Sequence, residues 1–303
     1  MKVVFAGNNK RAVETLKYLV KKKTKIKLVL AHYKKDKSEY FQNLKKIAST
    51  LKLKCIAPKN INNNKTSLLL KKIKPDLMIL CGYSQNILKE HIYSIPKYGT
   101  WNLHASDLPK YRGAAPLNWA IINGDKKVAA SIIKVNQGID TGYIVGKKFI
   151  KLSNKENIKT LSKKINHAYP KLLLDSISKL KSGKLILKKQ NESIATYYSK
   201  RFPKDSEIFF KKMDANLISK IIKSSVFPYS GAFFVHKKKK FILSDKVKVL
   251  RNYFGTPGRI IKRGQKNLII ICKSNAILLE DIYHNKNKIF DINKYFKLSD
   301  DLD

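Results

Sequence analysis

The chain has 303 residues, 43% of them hydrophobic, with 64 basic and 21 acidic side chains that give a formal net charge of +43. That length and apolar content exclude global disorder and leave room for two domains. No apolar run approaches the roughly 20 residues that span a bilayer, so no membrane insertion is expected, and the widely spaced Cys55, Cys81 and Cys272 carry no metal-ligand pattern and fit a reducing cytoplasm.

Lys2–Ala6 is a continuous apolar run without a following signal-peptide core, which predicts a first buried strand. Gly7-Asn8-Asn9 ends it, and Ala12, Val13, Leu16, Leu19 and Val20 then follow a helical period. Gly7 is read as a tight strand-to-helix turn; no G-x-G-x-x-G follows, so the nicotinamide-binding fingerprint is missing. Strands are predicted at Ile26–Ala31, Lys54–Ala57, Asp76–Cys81, Thr100–Leu103 and Ala129–Val135. Between them lie a polar helix ending near Leu51 and helical patterns at Leu68–Ile73 and Ile87–Ile92. Apolar strands alternating with amphipathic helices predict an α/β class, a Rossmann-like, mostly parallel sheet with helices on both faces.

The texture changes after a long helix over Ile158–Leu180, which Ser182-Gly183-Lys184 breaks. A connector through Tyr197-Tyr198 and Arg201-Phe202-Pro203 leads to one helix, Ala215–Ser224. Short strands at Ala232–His236, Lys240–Leu243, Val247–Leu250, Gly258–Ile261, Leu268–Cys272 and Ala276–Asp281 then predict a small C-terminal OB-like β-barrel domain. The expected division is a first domain over 1–190, a linker over 191–204 and the barrel over 205–303. Lys237–Lys240 is read as a solvated hairpin turn, with contact to a nucleic-acid backbone as the sharper alternative.

Two stretches carry the chemistry: Asn102-Leu-His-Ala-Ser-Asp-Leu-Pro-Lys-Tyr-Arg-Gly-Ala-Ala-Pro116 and Gly138-Ile-Asp-Thr-Gly142. Asn102 and His104 are two apart at a strand end, so both side chains project from one face. An amide can donate to a carbonyl oxygen that becomes an oxyanion, while an imidazole accepts or returns a proton. A carboxylate at Asp140 could orient that imidazole or transfer the proton itself. An isolated Asn-x-His is most often structural, so spacing alone does not decide the role.

The whole block, from Asn102 through Leu108-Pro-Lys-Tyr-Arg-Gly-Ala-Ala-Pro-Leu-Asn-Trp119 and on to Gly138–Gly142, resembles the formyltetrahydrofolate-dependent formyltransferases. That family includes methionyl-tRNA, glycinamide ribonucleotide and nucleotide-sugar N-formyltransferases. The likeness runs from Met1 to beyond Phe241. It implies a catalytic trio of Asn102, His104 and Asp140, with no metal and no covalent intermediate. It also implies that the donor, 10-formyltetrahydrofolate, lies against Tyr83, Ser84 and Gln85, the loop Ser106, Asp107, Leu108 and Pro109, and the segment Asn136, Gln137, Gly138 and Ile139. Asp107 departs from the family's usual Ser-Leu-Leu-Pro, and a carboxylate facing an anionic folate would be unfavourable, so it is expected to point to solvent. Tyr83 and Trp119 are each open to reading as ligand wall or as core.

The acceptor amine is read from residues away from the trio. Tyr33–Glu39 is short where methionyl-tRNA enzymes carry a long basic loop, and Arg201-Phe-Pro-Lys-Asp205 resembles the R-x-P-x-D signature of enzymes acting on nucleotide-linked aminosugars. Pro228-Tyr-Ser-Gly-Ala-Phe233 resembles the start of the barrel in the UDP-aminoarabinose type. A nucleotide-linked aminosugar, an anionic small molecule, is therefore the expected acceptor. Initiator methionyl-tRNA is the alternative, and a non-catalytic RNA-binding protein on the same fold is a third reading. Only six of the 64 basic residues are arginine, which weakens a dedicated nucleic-acid role, because arginine makes the bidentate phosphate contacts.

Overall fold

A computed structural model of the chain describes residues 1–33, 44–84, 88–285 and 287–302. Lys34–Glu39 and Gln85, to which the sequence reading assigned meaning, lie outside the described residues. The chain forms two compact units that interleave in sequence: Met1–Pro116, Lys127–Lys151 and Ser162–Ser199 make the first, and Leu117–Lys126, Leu152–Leu161 and Lys200–Asp303 the second.

In chain order the elements begin with β1 (Lys2–Gly7), α1 (Lys10–Lys21), β2 (Lys25–Leu30), α2 (Leu44–Thr50), β3 (Cys55–Ile56) and α3 (Asn64–Ile73). They continue with β4 (Leu77–Cys81), α4 (Glu90–Tyr93), β5 (Thr100–His104), the two-residue β6 (Arg112–Gly113), α5 (Pro116–Asn123), β7 (Lys127–Lys134) and β8 (Ile144–Lys151). Helix α6 (Ile158–Lys181) and the short β9 (Tyr197–Tyr198) follow.

The first unit is built on a seven-stranded sheet of order β3-β2-β1-β4-β5-β7-β8. The strands β1 to β5 pair in parallel, whereas β5–β7 and β7–β8 are antiparallel. Every residue of β4 is buried, as are Val3–Gly7 of β1. A strand covered on both faces has no polar side to alternate with, which is why these segments are unbroken apolar runs in the sequence. Helix α1 buries Ala12, Val13, Leu16 and Leu19 along one stripe, and Asn9 caps it by accepting from the Ala12 amide at 3.0 Å. The strand order reverses between β1 and β4, which opens a crevice at their carboxyl ends, Gly7 and Cys81.

The expected α/β class and parallel-dominated sheet are what the chain forms; the strand β8 is an addition. Its sequence, Ile-Val-Gly-Lys-Lys-Phe-Ile-Lys, mixes lysines into both faces and carries no clean period. It is one of the two edge strands of the sheet, a position where lysines discourage pairing with another chain.

The second unit adds α7 (Ala215–Ser225) and eight strands: β10 (Ala232–His236), β11 (Lys239–Leu243), β12 (Val247–Leu250), β13 (Ile260–Arg263), β14 (Asn267–Ile271), β15 (Ala276–Glu280), β16 (Ile282–His284) and β17 (Asn287–Lys288). They form two four-stranded sheets, β10-β11-β16-β17 and β12-β15-β14-β13. Between β15 and β16 stands one residue, Asp281, in a left-handed conformation (φ 53°), so a single run of chain serves both sheets. The Asp281 carboxylate is clamped by Lys246 at 2.6 Å and Lys288 at 2.5 Å, and these contacts hold its carboxyl below the ordinary value. Phe234, Phe241 and Phe296 pack in this unit's core with Ile222, Ile270 and Leu279, the Phe241 and Phe296 rings 4.7 Å apart.

Candidate active site

Strand β5 delivers Asn102 and His104 at its carboxyl end, and β7 fixes its far side through the His104–Ser131 pair. The chain then turns back under tight control. Ser131 Oγ donates to the Ser106 carbonyl at 2.6 Å, Ser106 Oγ donates to the Lys110 carbonyl at 2.8 Å, and Leu108 is fully buried. This loop brings the Tyr111 carbonyl to 2.8 Å from His104 Nε2. A carbonyl oxygen can only accept, so Nε2 carries the hydrogen and Nδ1 is the nitrogen left to face Asp140.

Asp140 gathers the site. Its Oδ1 accepts from Asn102 Nδ2 at 3.3 Å, its Oδ2 accepts from the Gly113 amide at 3.0 Å, and the same Oδ2 lies 3.4 Å from His104 Nδ1. The carboxylate reaches these partners because its own backbone is left-handed, with φ 54°. Gly113 is obligatory for a different reason. At φ 93°, a Cβ there would lie 2.6 Å from the Tyr198 carbonyl oxygen, where β6 pairs with β9.

In front of Asn102 and Asp140 is a cavity of about 250 Å³. Its walls include Tyr83, Ser84, Asn136, Gln137, Gly138 and Ile139 from the sequence-predicted set, together with Leu80, Leu88, Ile133 and Val135. His104 is buried and is not among these walls, nor are Ser106, Asp107, Leu108 and Pro109. Burial pushes the Tyr83 hydroxyl up to about 12, so it is neutral, and among the described residues it has no hydrogen-bond partner. The largely apolar walls, edged by the Asn102 and Asp140 side chains, fit a flat ring with polar edges.

Asp107 is held instead of pointing freely to solvent. Lys147, on β8, places its ammonium 2.7 Å from Asp107 Oδ1 and also donates to the Leu108 carbonyl at 2.5 Å. Trp119 is half-buried with the Arg201 guanidinium 5.1 Å above its ring, so it serves a cation–π contact.

Three residues that the sequence reading did not single out shape the site. Besides Lys147, they are Arg112, fully buried, and Gln190, which lies on the chain returning from α6. Gln190 Nε2 donates to the Asp140 and Gly142 carbonyls, both at 2.7 Å. Arg112 donates to Gln190 Oε1 at 3.2 and 2.9 Å, and to both oxygens of Glu192 at 2.7 Å. A buried arginine within a recognisable motif block is a signal that could have been followed to a carboxylate partner. Among the described residues, no group of three or more His, Cys, Asp or Glu side chains is placed to hold a metal ion, and no helix is long and apolar enough to cross a membrane.

Comparison with known proteins fits this arrangement into a family. The formyl transferase family model matches residues 1–177, and the model of the formyl transferase C-terminal domain matches residues 201–299. The chain belongs to the formyl transferase family. Among curated relatives, the bifunctional polymyxin resistance protein ArnA of Wigglesworthia glossinidia brevipalpis is 35% identical over 279 residues, which is 91% of this chain and 42% of that protein. This chain thus spans less than half of that relative's length. A methionyl-tRNA formyltransferase of Caldanaerobacter subterraneus is 31% identical over 300 residues, covering 97% of this chain and 96% of the relative. Among solved structures, an N-formyltransferase from Helicobacter canadensis, in complex with folinic acid and dTDP-3-aminofucose, superposes with a TM-score of 0.71 at 20% identity. That match covers 93% of this chain and 100% of the other, and it shows the shared fold.

Proposed function

We propose that the chain transfers a formyl group from 10-formyltetrahydrofolate to the primary amine of a nucleotide-linked aminosugar. The observation that carries the reaction is Asp140 tied to Asn102, His104 and the Gly113 amide beside a small, largely apolar cavity. When bound, the folate supplies an N-formyl carbonyl as electrophile. The Asn102 amide nitrogen has two hydrogens; one faces Asp140 and the other is available to an oxygen that gains charge in the cavity. Asp140 would take the proton of the attacking amine, with His104 Nδ1 behind it as relay, and would return it to the folate nitrogen that leaves as its bond to the formyl carbon breaks. Nε2 stays on the Tyr111 carbonyl and fixes the ring. This assignment moves the first proton acceptor from His104 to Asp140, because Asp140 lines the cavity and His104 does not.

Two features support the aminosugar. The Arg201–Asp205 segment is a built turn: Arg201 Nη2 donates to the Asp205 carbonyl at 2.9 Å, and the Phe202 amide donates to Asp205 Oδ2 at 2.6 Å. The fold shared with a protein that holds dTDP-3-aminofucose points the same way. Methionyl-tRNA remains the second reading, favoured by the end-to-end match to a methionyl-tRNA formyltransferase. The deciding experiment offers UDP-4-aminoarabinose, dTDP-aminosugars and methionyl-tRNA in parallel with 10-formyltetrahydrofolate. Turnover confined to tRNA would replace the aminosugar reading. Asn102→Ala and His104→Ala are each expected to lower kcat on the order of 100-fold or more; near-normal turnover in either would remove the trio.

A further inference from the structure

The segment after α6 looks like a passive connector in the sequence, yet it reaches the site. Ile144 and Lys188 exchange backbone hydrogen bonds at 2.8 and 2.9 Å, which pins the segment beside the Asp140 loop. Two residues on, the Gln190 side chain is buried and all its hydrogen-bonding capacity points inward. Its NH₂ group donates to the carbonyls of Asp140 and Gly142, and its oxygen accepts twice from Arg112. Arg112 cannot swing away, because Glu192 grips it bidentately and Tyr197 Oη accepts from it at 2.7 Å. The residue at the end of this chain of contacts, Asp140, holds a backbone conformation that an L-residue adopts only at a cost of about 1 kcal/mol or more.

We propose that Gln190, locked by Arg112, is a positioning residue: it stabilises the left-handed turn at Asp140 and so aims the carboxylate at His104 and the Gly113 amide. The proposal rests on the formyl-transfer reading for its catalytic consequence, but the positioning itself is measurable without turnover. A space-filling glutamine would tolerate any side chain of equal volume; a positioning glutamine needs its two N–H donors.

The test uses the full chain and two variants. Gln190→Met keeps the volume and removes every hydrogen bond. Gln190→Glu keeps the Arg112 contact but presents oxygens to the two carbonyls, so it stays measurable if the methionine variant does not fold. Both are expected to lower kcat on the order of 10- to 100-fold while the folate KM moves less than about threefold, the split expected when a reacting group is misplaced but binding surface is kept. In parallel, hydrogen exchange at the Gly113 amide is expected to accelerate and the His104 ring ¹⁵N signals to shift, since both report on Asp140. If Gly113 exchange and the His104 signals match the parent protein, or if kcat is unchanged in an active parent, the proposal is overturned. A parent that transfers formyl to none of the acceptors would sink the functional reading alone, and the Gly113 and His104 measurements would still decide the positioning.

Discussion

At the scale of single residues, the site works by matching buried groups that the sequence scatters. Asp107 would be a poor neighbour for an anionic donor, and Lys147 resolves this by pairing with it across 40 residues of sequence. Lys147→Met is expected to cost about 1–2 kcal/mol by calorimetry, because it strands a partly buried carboxylate, and adding Asp107→Leu is expected to recover part of that loss. Gly113→Ala adds a Cβ where the Tyr198 carbonyl already stands and where φ is 93°, so a loss of about 2 kcal/mol or more is expected in a denaturation curve. The Arg112–Glu192 contact also sets a pH dependence. The guanidinium holds the Glu192 carboxyl below its ordinary 4.5, so the stabilisation is complete above that pH and is lost as pH falls through the lower, folded-state value. Melting curves of the parent and of Glu192→Gln are expected to differ at neutral pH and to converge in acid. That Asn102 and His104 share one strand face was legible from their spacing, whereas the role expected of them rested on the family resemblance. Lys147 was not legible, since nothing local separates it from the other lysines; only the antiparallel β7–β8 pairing brings it to Asp107.

At the scale of elements, buried parallel strands were legible and edges were not. Strands β1 and β4 announce themselves because both faces are covered, whereas β8 and the short β6, β9, β16 and β17 rely on partners that no local pattern names. Of the lysine run Lys237–Lys240 that the sequence reading put in a turn, Lys237 and Lys238 make the β10–β11 hairpin turn and Lys239 and Lys240 belong to β11. Lys237 and Lys238 occupy the turn with φ 48° and 61°, the paired left-handed conformations of a type I′ turn that favours Asn-Gly. Side chains bearing a Cβ are strained there, and Lys238→Gly is expected to raise stability by about 0.5–1 kcal/mol, measurable as a higher denaturation midpoint. A second-unit strain of the same kind sits at Asp281, but its carboxylate has work there: it anchors Lys246 and Lys288 where the chain changes sheets.

At the scale of the whole molecule, the charge of +43 is an amplifier with no address. It will draw any anion closer, so ionic strength separates acceptors better than affinity does. A tRNA acceptor that neutralises several phosphates is expected to lose about 10³-fold or more in kcat/KM between about 50 and about 200 mM salt. A sugar nucleotide, with two phosphates, is expected to lose no more than about tenfold over the same range. The boundaries of the two units were the least legible feature, because Leu117–Lys126 and Leu152–Leu161 join the second unit from within the sequence of the first. The clasp formed by Gln190, Glu192 and Tyr197 also sets an order of assembly. During synthesis, Asn102, His104 and Asp140 leave the ribosome long before the residues that brace them. A nascent chain, or a fragment cut after Lys181, would therefore hold the whole trio without the support that aims it.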